Sequence, residues 1–522
     1  MSNQLVREKI YLDQSIARES TQILLEGDII VPDAKPDMAL MLQTDAKVAI
    51  ERTEISLDRV NFIGKLELEV LYIAKGPDKP VYSMGMSAPI DDFINLEGVT
   101  KDMWINTKAE IANIDYKMLN DRKINYRAVV DVGVSADYPD VQEVVVDIQD
   151  VPENQLLKVH LSLNKTIENK LDHFTVKDQI SVPSNKPNIH EILQCATQIA
   201  NKDVRITNGR VNIAGELLVS TLFKGDSDDS IIEFVENEVP FDSSVDVNGA
   251  RDDMFADVNL VAQDQYVQVR PDSDGEDRII DIEVSIGVSL KVYSAESVEI
   301  LEDAYCIGQE LNISKSTVCY PRLVCRNRNQ APVKEVIQID SGCPDILQIF
   351  RVKGNAVLDE VKIIEDKIVA EGVIRTDVLY VAESDETPLY CYQTVVPYRQ
   401  VVETKGAEPD MQVNLDISID HVAFNMLSKR ETEVRFLLTF NTQVMEEKSV
   451  NIIRDIEFEE LDLGILENTA SMTVYVVQTG DSLWKIAKQY NTSIDELATV
   501  NELDNPAKIY PGQKLLILKK VS

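Results

Sequence analysis

The sequence predicts a mainly β protein: three tandem β-sandwich-like repeats with short helices, followed by a small βααβ module. Three observations lead there. Pro-led segments recur at long intervals, each is followed by strict apolar alternation, and the C-terminal stretch switches to a helical period. The segments are Lys35-Pro36-Asp37, Lys186-Pro187-Asn188 and Cys343-Pro344-Asp345, spaced by 151 and 157 residues.

Each proline is followed by apolar residues two, five and six places on: Met38, Met41 and Leu42; Ile189, Ile192 and Leu193; Ile346, Ile349 and Phe350. That spacing predicts one face of a short helix with proline in its first turn. A glycine stands 28 residues after each proline, as Gly64, Gly215 and Gly372. From there the pattern alternates, which predicts a half-buried strand. Leu66, Leu68, Val70 and Tyr72 form the inward face in the first copy, with Lys65, Glu67 and Glu69 opposite. Leu217, Val219, Thr221 and Phe223 take the same places in the second, and Ile374, Thr376, Val378 and Tyr380 in the third. A second proline recurs as Pro89, Pro240 and Pro397, and a methionine as Met103, Met254 and Met411. Further on, residues 125–134, 278–292 and 433–444 are rich in Val, Ile and Phe and read as strands. The recurring Pro, Gly, Met and aromatic positions read as turns and core.

The repeats are placed at 1–155, 156–310 and 311–455, an acidic linker at 456–472 and the last module at 473–520. Repeats of this length enclose their own cores, unlike solenoid units. Of 522 residues 44% are hydrophobic, with 20 Gly and 19 Pro, which excludes a disordered or collagen-like chain. The 89 acidic against 52 basic side chains give a net charge of −37, which repels nucleic acid and anionic lipid. The charged N-terminal stretch does not read as an export signal, and no apolar run is long enough to span a bilayer, so an intracellular chain without direct membrane insertion is expected. Of the six cysteines, Cys306, Cys319, Cys325 and Cys343 fall close together without zinc-type spacing. The four histidines, His160, His173, His190 and His421, are scattered, and no cysteine has a catalytic neighbourhood. No metal, cofactor or catalytic residue is expected.

The last module is readable residue by residue. Val474-Tyr475-Val476-Val477 is a short β run closed by the turn Gln478-Thr479-Gly480-Asp481. Leu483, Ile486, Ala487 and Tyr490 make one apolar helical face, with Ser482 placed to cap it. Ser493 opens a second helix with Glu496 three residues on, a capping box, and Ile494, Leu497 and Ala498 face inward. Pro511-Gly512 turns into a closing strand, Lys514-Leu515-Leu516-Ile517-Leu518.

With its 480–484 turn, its Asn501 and its 509–513 segment, residues 474–517 resemble a LysM domain. The resemblance implies recognition of N-acetylglucosamine-containing glycans such as peptidoglycan. The implied groove is lined by Gly480, Asp481, Ser482 and Leu483 on one side and Asn505, Ile509, Tyr510 and Pro511 on the other. Trp484 lies next to the apolar face of its helix. It reads either as packing over the module's edge or as an aromatic anchor for a protein partner.

Three long Pro-led repeats ahead of one LysM resemble the SipL-like family of spore coat morphogenetic proteins, whose repeat is the SPOCS domain. That resemblance implies a non-enzymatic scaffold in the mother-cell cytoplasm, at the forespore surface. Its LysM would dock to a SpoIVA-like coat morphogenetic ATPase, with other coat proteins as further partners. Two other readings stand beside it: a peptidoglycan-binding cell-wall protein, and a wall hydrolase targeted by its LysM. A ligand inside the cell is either a protein or a GlcNAc-containing glycan or peptidoglycan precursor.

Overall fold

The computed structural model describes residues 4–76, 80–226, 232–384, 387–460, 471–503, 505 and 508–518. Three units of one topology follow each other. The first contains β1 (Gln4–Ile30), β2 (Met38–Ser56), β3 (Arg59–Ala74), β4 (Val81–Asn95), β5 (Trp104–Asn120) and β6 (Lys123–Gln149). The second contains β7 (Asn154–Ser181), β8 (Ile189–Thr207), β9 (Arg210–Gly225), β10 (Ile232–Asp246), β11 (Phe255–Pro271) and β12 (Asp277–Cys306). The third contains β13 (Gln309–Gln338), β14 (Ile346–Ile364), β15 (Lys367–Ala382), β16 (Leu389–Glu403), β17 (Gln412–Ser428) and β18 (Glu431–Glu460).

Each unit is a sandwich of two antiparallel three-stranded sheets, β2-β3-β4 on β1-β6-β5 in the first. The alternation of Leu66, Leu68, Val70 and Tyr72 buries all four between the sheets, and the equivalent residues of the other units are buried as well. Pro89, Pro240 and Pro397 lie in β4, β10 and β16, the edge strands, where a missing N–H costs no ladder bond. The acidic stretch beginning at Ile456 continues β18 as far as Glu460; residues 461–470 lie outside the described ones.

The helix expected after each Pro-led segment is a strand. β2, β8 and β14 each carry two β-bulges in their first five residues, at Met38/Leu40 and Met41/Gln43 in β2 and at the matching places in β8 and β14. Each bulge inserts one residue and shifts the alternation by one, so apolar residues three apart share a face as they would on a helix. Met41, Ile192 and Ile349 pack into their own sandwiches. Leu42, Leu193 and Phe350, the next residues, point the other way into a cluster shared by all three units, with Leu71, Leu222 and Leu379.

The polar residue of the Pro-led motif has a structural use. Arg278 donates from Nη1 to Asn188 Oδ1 at 2.7 Å and from Nη2 to the carbonyls of Pro183 (2.6 Å) and Lys186 (2.9 Å). Arg122 holds Asp37 (2.7 Å) and the Pro32 carbonyl (3.1 Å) in the first unit. Arg430 pairs with Asp345 (2.5 Å) and donates to the Asp340 carbonyl (3.0 Å) in the third. Each guanidinium ties the start of its last strand to the turn before β2, β8 or β14. Asn188 can stand where the other units have Asp because its amide oxygen also accepts from a guanidinium N–H. Arg278→Ala is expected to cost the second unit about 2–3 kcal/mol in a urea titration, and Arg278→Lys most of that loss, since an ammonium cannot span the three acceptors.

The three units close into a ring around a pseudo-threefold axis. The N-terminal half of β1 and the C-terminal half of β6 leave their sandwich and pack with the corresponding halves of β7/β12 and β13/β18. Ile10, Leu12, Val144, Leu161, Leu163, Ile300, Tyr320 and Ile452 form one shared core there. Near the end of this three-ribbon stalk, a basic residue of each first strand meets an aspartate of the neighbouring unit: Lys158 with Asp147 (3.9 Å), Lys315 with Asp303 (3.0 Å) and Arg7 with Asp455 (2.6 Å). The last pair joins the third unit back to the first.

Candidate functional site

The C-terminal module pairs β19 (Met472–Val476) with β20 (Lys514–Leu518) and places α1 (Leu483–Gln489) and α2 (Ile494–Val500) on them, the expected βααβ order. Val477, Leu483, Ile486, Leu497, Leu515 and Ile517 form its core. Ser482 caps α1, its Oγ accepting from the Lys485 amide at 3.2 Å, and Ser493 caps α2 by accepting from the Glu496 amide at 3.1 Å. On the return side of the box, the Thr492 hydroxyl donates to Glu496 Oε2 at 3.1 Å. Asn501 clips α2 to β20: its Nδ2 donates to the carbonyls of Leu497 and Leu516, and its Oδ1 accepts from the Leu516 amide.

The two segments expected to line a sugar groove are brought next to each other through Val477. Its carbonyl accepts from the Gly512 amide at 2.8 Å and its amide donates to the Gln513 carbonyl at 2.9 Å. Gly480 takes φ +89°, which a side chain would strain, and is exposed. Asp481 is tied inside its turn, accepting from the Gln478 amide (2.7 Å) and the Tyr475 hydroxyl (2.8 Å). Those bonds hold its carboxyl below the usual range. Ser482 is committed to its cap and Leu483 faces the core, while Ile509 packs partly against that core. Asn505, Tyr510 and Pro511 are exposed, Tyr510 to 66%. Of these two segments Gly480, Asn505, Tyr510 and Pro511 are therefore the exposed residues, on a frame set by Asp481, Ser482 and Leu483.

Trp484 faces out of its own module, toward the second unit. It is 9% exposed and packs against the end of β12 in the second unit, its ring edge-on to Tyr305 with centroids 5.0 Å apart. Its Nε1–H donates to Asp303 Oδ2 at 2.9 Å, and Lys488 reaches both oxygens of the same carboxylate at 2.8 Å. Tyr305 donates to the Thr492 carbonyl at 2.8 Å, Asn491 Nδ2 to the Ile307 carbonyl at 2.8 Å, and Ile307 and Ala487 complete a small apolar cluster. Burial pushes the Asp303 carboxyl up, but bonds from Lys488, Trp484 and Lys315 outweigh it and hold it below the usual range. The sequence reading missed Asp303, Tyr305, Ile307, Lys488 and Asn491.

A family model described as SipL, SPOCS domain matches residues 40–119, 188–270 and 345–427. Those spans run from the second to the fifth strand of each unit and leave out the ribbons that build the stalk. A LysM domain model matches residues 475–518. The chain is 45% identical over 47 residues to SpoIVD-associated factor A of Bacillus subtilis (strain 168), covering 9% of this chain and 12% of that protein. It is 46% identical over 50 residues to the spore coat assembly protein ExsA of Bacillus cereus, 9% of this chain and 8% of that one. It is 44% identical over 45 residues to the probable autolysin SsaALP of Staphylococcus aureus (strain NCTC 8325 / PS 47), 9% and 17%. These matches have the length of the LysM module and span well under a fifth of each of those relatives. No solved structure matches the chain.

Proposed function

We propose, for a chain that belongs with the SipL-type SPOCS-domain proteins and carries a LysM domain C-terminal to its three SPOCS domains, that it is a non-enzymatic scaffold of spore coat assembly. It works in the mother-cell cytoplasm at the forespore surface. Its LysM domain docks to a SpoIVA-like coat morphogenetic ATPase or to a peptidoglycan-type glycan, and its body offers surfaces to other coat proteins. The observation that carries this reading is the closed ring of three SPOCS units bearing one LysM, an acidic platform held by shared cores with a single small binding module. Two of the relatives that share the module's length are named for coat assembly or for association with a sporulation protein, which supports it.

The second reading, a wall-binding protein or a LysM-targeted hydrolase, is favoured by the similarity to a probable autolysin. Among the described residues no helix is long and apolar enough to cross a membrane. The open face of Gly480, Asn505, Tyr510 and Pro511 suits an acetamido sugar, with backbone groups for hydroxyls and an aromatic for the ring face. The full chain is to be titrated against the coat ATPase of its own organism and against GlcNAc oligomers. ATPase binding that Trp484→Ala weakens tenfold or more, about 1.4 kcal/mol, is the expected result. Glycan binding with no ATPase binding would assign the dock to the glycan instead of the ATPase; a fluorescent fusion found outside the cytoplasmic membrane together with murein cleavage would overturn the scaffold reading.

A further inference from the structure

The three stalk ends are quasi-equivalent, yet one of them carries the LysM. Strand pairing sets the correspondence: Ile10, Leu161 and Val318 face Gln142, Val298 and Val450. Counting on from there, Asp303 corresponds to Asp147 and Asp455, Tyr305 to Gln149 and Glu457, and Ile307 to Val151 and Glu459. All three ends have the aspartate, and the first also has an apolar floor in Val151, but only the second adds an aromatic wall. At the third end the same places are Glu457 and Glu459, which offer an indole no apolar surface.

We infer that the end of β12 is a receptor surface for the LysM helix α1, and that its occupation withholds Trp484 from a second protein while leaving the sugar-facing turns open. The contact is fitted rather than incidental: the indole N–H, the Lys488 ammonium, the Tyr305 hydroxyl and the Asn491 amide each find an acceptor across it. Release does not strand the carboxylate, because Asp303 keeps its own pair with Lys315 at 3.0 Å. A carboxylate that retains a partner in both states removes the unpaired-charge penalty from the cost of release. Gly480, Tyr510 and Pro511 are exposed while Trp484 is covered, so the two faces of the module are available under different conditions. A partner that needs Trp484 binds only the released fraction; if that fraction is about one in ten, its apparent affinity falls about tenfold. The consequence for a protein partner rests on the reading of Trp484 given above; the docking itself does not.

The test uses the full chain with Trp104→Phe, which leaves Trp484 as the only indole. Tyr305→Ala, on the body, and Lys488→Glu, on the module, are compared with Lys485→Glu, whose ammonium reaches the Gly480 carbonyl and not the dock. Acrylamide quenching of Trp484 is expected to rise several-fold with Tyr305→Ala and with Lys488→Glu and to stay unchanged with Lys485→Glu, at unaltered circular dichroism. Affinity for a GlcNAc oligomer is expected to be unchanged by Tyr305→Ala and by Lys488→Glu, neither of which touches the sugar-facing turns, and Tyr305→Ala is expected to tighten coat-ATPase binding about tenfold. Equal quenching in all forms overturns the docking. Increased quenching with unchanged ATPase affinity overturns the withholding of Trp484. Increased quenching with no ATPase binding by any form supports the dock and counts against the ATPase partner of the proposed function instead.

Discussion

Gly372→Ala is expected to destabilise the third unit by about 3 kcal/mol or more. Gly372 lies in β15 opposite the Leu358/Glu360 bulge of β14. A Cβ there would stand 2.2 Å from the Val357 carbonyl oxygen and 2.6 Å from the Tyr398 hydroxyl. Neither can give way cheaply: the carbonyl belongs to a bulged strand, and Tyr398 already donates to it at 3.1 Å. Gly64→Ala meets the same obstacle, the Ala49 carbonyl at 2.3 Å. Gly215→Ala instead meets Phe241 Cζ at 2.6 Å, with the nearest backbone oxygen, of Ala200, at 3.2 Å. A ring can turn where a strand cannot, so Gly215→Ala is expected to cost only about 1–2 kcal/mol. Hydrogen exchange, read unit by unit, measures all three; equal losses at Gly372 and Gly215 would show that close backbone approach is not why glycine recurs.

The same glycines show how far the sequence could be read. Their recurrence marked a close-packed strand position, and the alternation after them located the inward faces of β3, β9 and β15 correctly. What alternation could not show is that the opposite face is also buried near the strand ends, where Leu71, Leu222 and Leu379 meet around the axis. The Pro-led segments misled because a pair of bulges and a helical turn both bring residues three apart to one side, and periodicity alone does not separate them. The LysM module was legible almost to the residue, down to its serine caps, because capping and turn formation are local. The Trp484 dock was not. Its receptor, Asp303 to Ile307, lies nearly two hundred residues upstream, in a part of the repeat where loop lengths differ and the simple offset is lost. Only strand register shows that Tyr305 stands where the other units have Gln149 and Glu457.

Arg351→Glu is expected to break the body apart at its axis. Gln43, Gln194 and Arg351 occupy one position of the repeat and meet at the centre. Arg351 is 8% exposed and donates to Gln194 Oε1 at 3.0 Å and to Gln43 Oε1 at 3.4 Å. Around them lie Glu69, whose carboxyl burial pushes up, and Asp45, which burial also pushes up but which Lys353, 2.6 Å away, holds below the usual range. A carboxylate in place of the guanidinium would sit buried beside two others, with its amide neighbours deprived of their donor. Such an uncompensated charge costs about 3–5 kcal/mol. The ring then loses the contact that makes its units unfold together, so one calorimetric transition should become two or more. Arg351→Gln is the informative control. It makes the three positions identical, and amides can donate and accept around a ring, so the loss should stay near 1 kcal/mol. The acid response separates charge from shape. A buried glutamate with a raised folded pKa is penalised above that pKa and relieved as pH falls through it, so Arg351→Glu should regain part of its cooperativity on mild acidification. If Arg351→Gln is as damaging as Arg351→Glu, and neither responds to acid, the axis is held by the Leu42, Leu193 and Phe350 contacts and the arginine contributes only its packing.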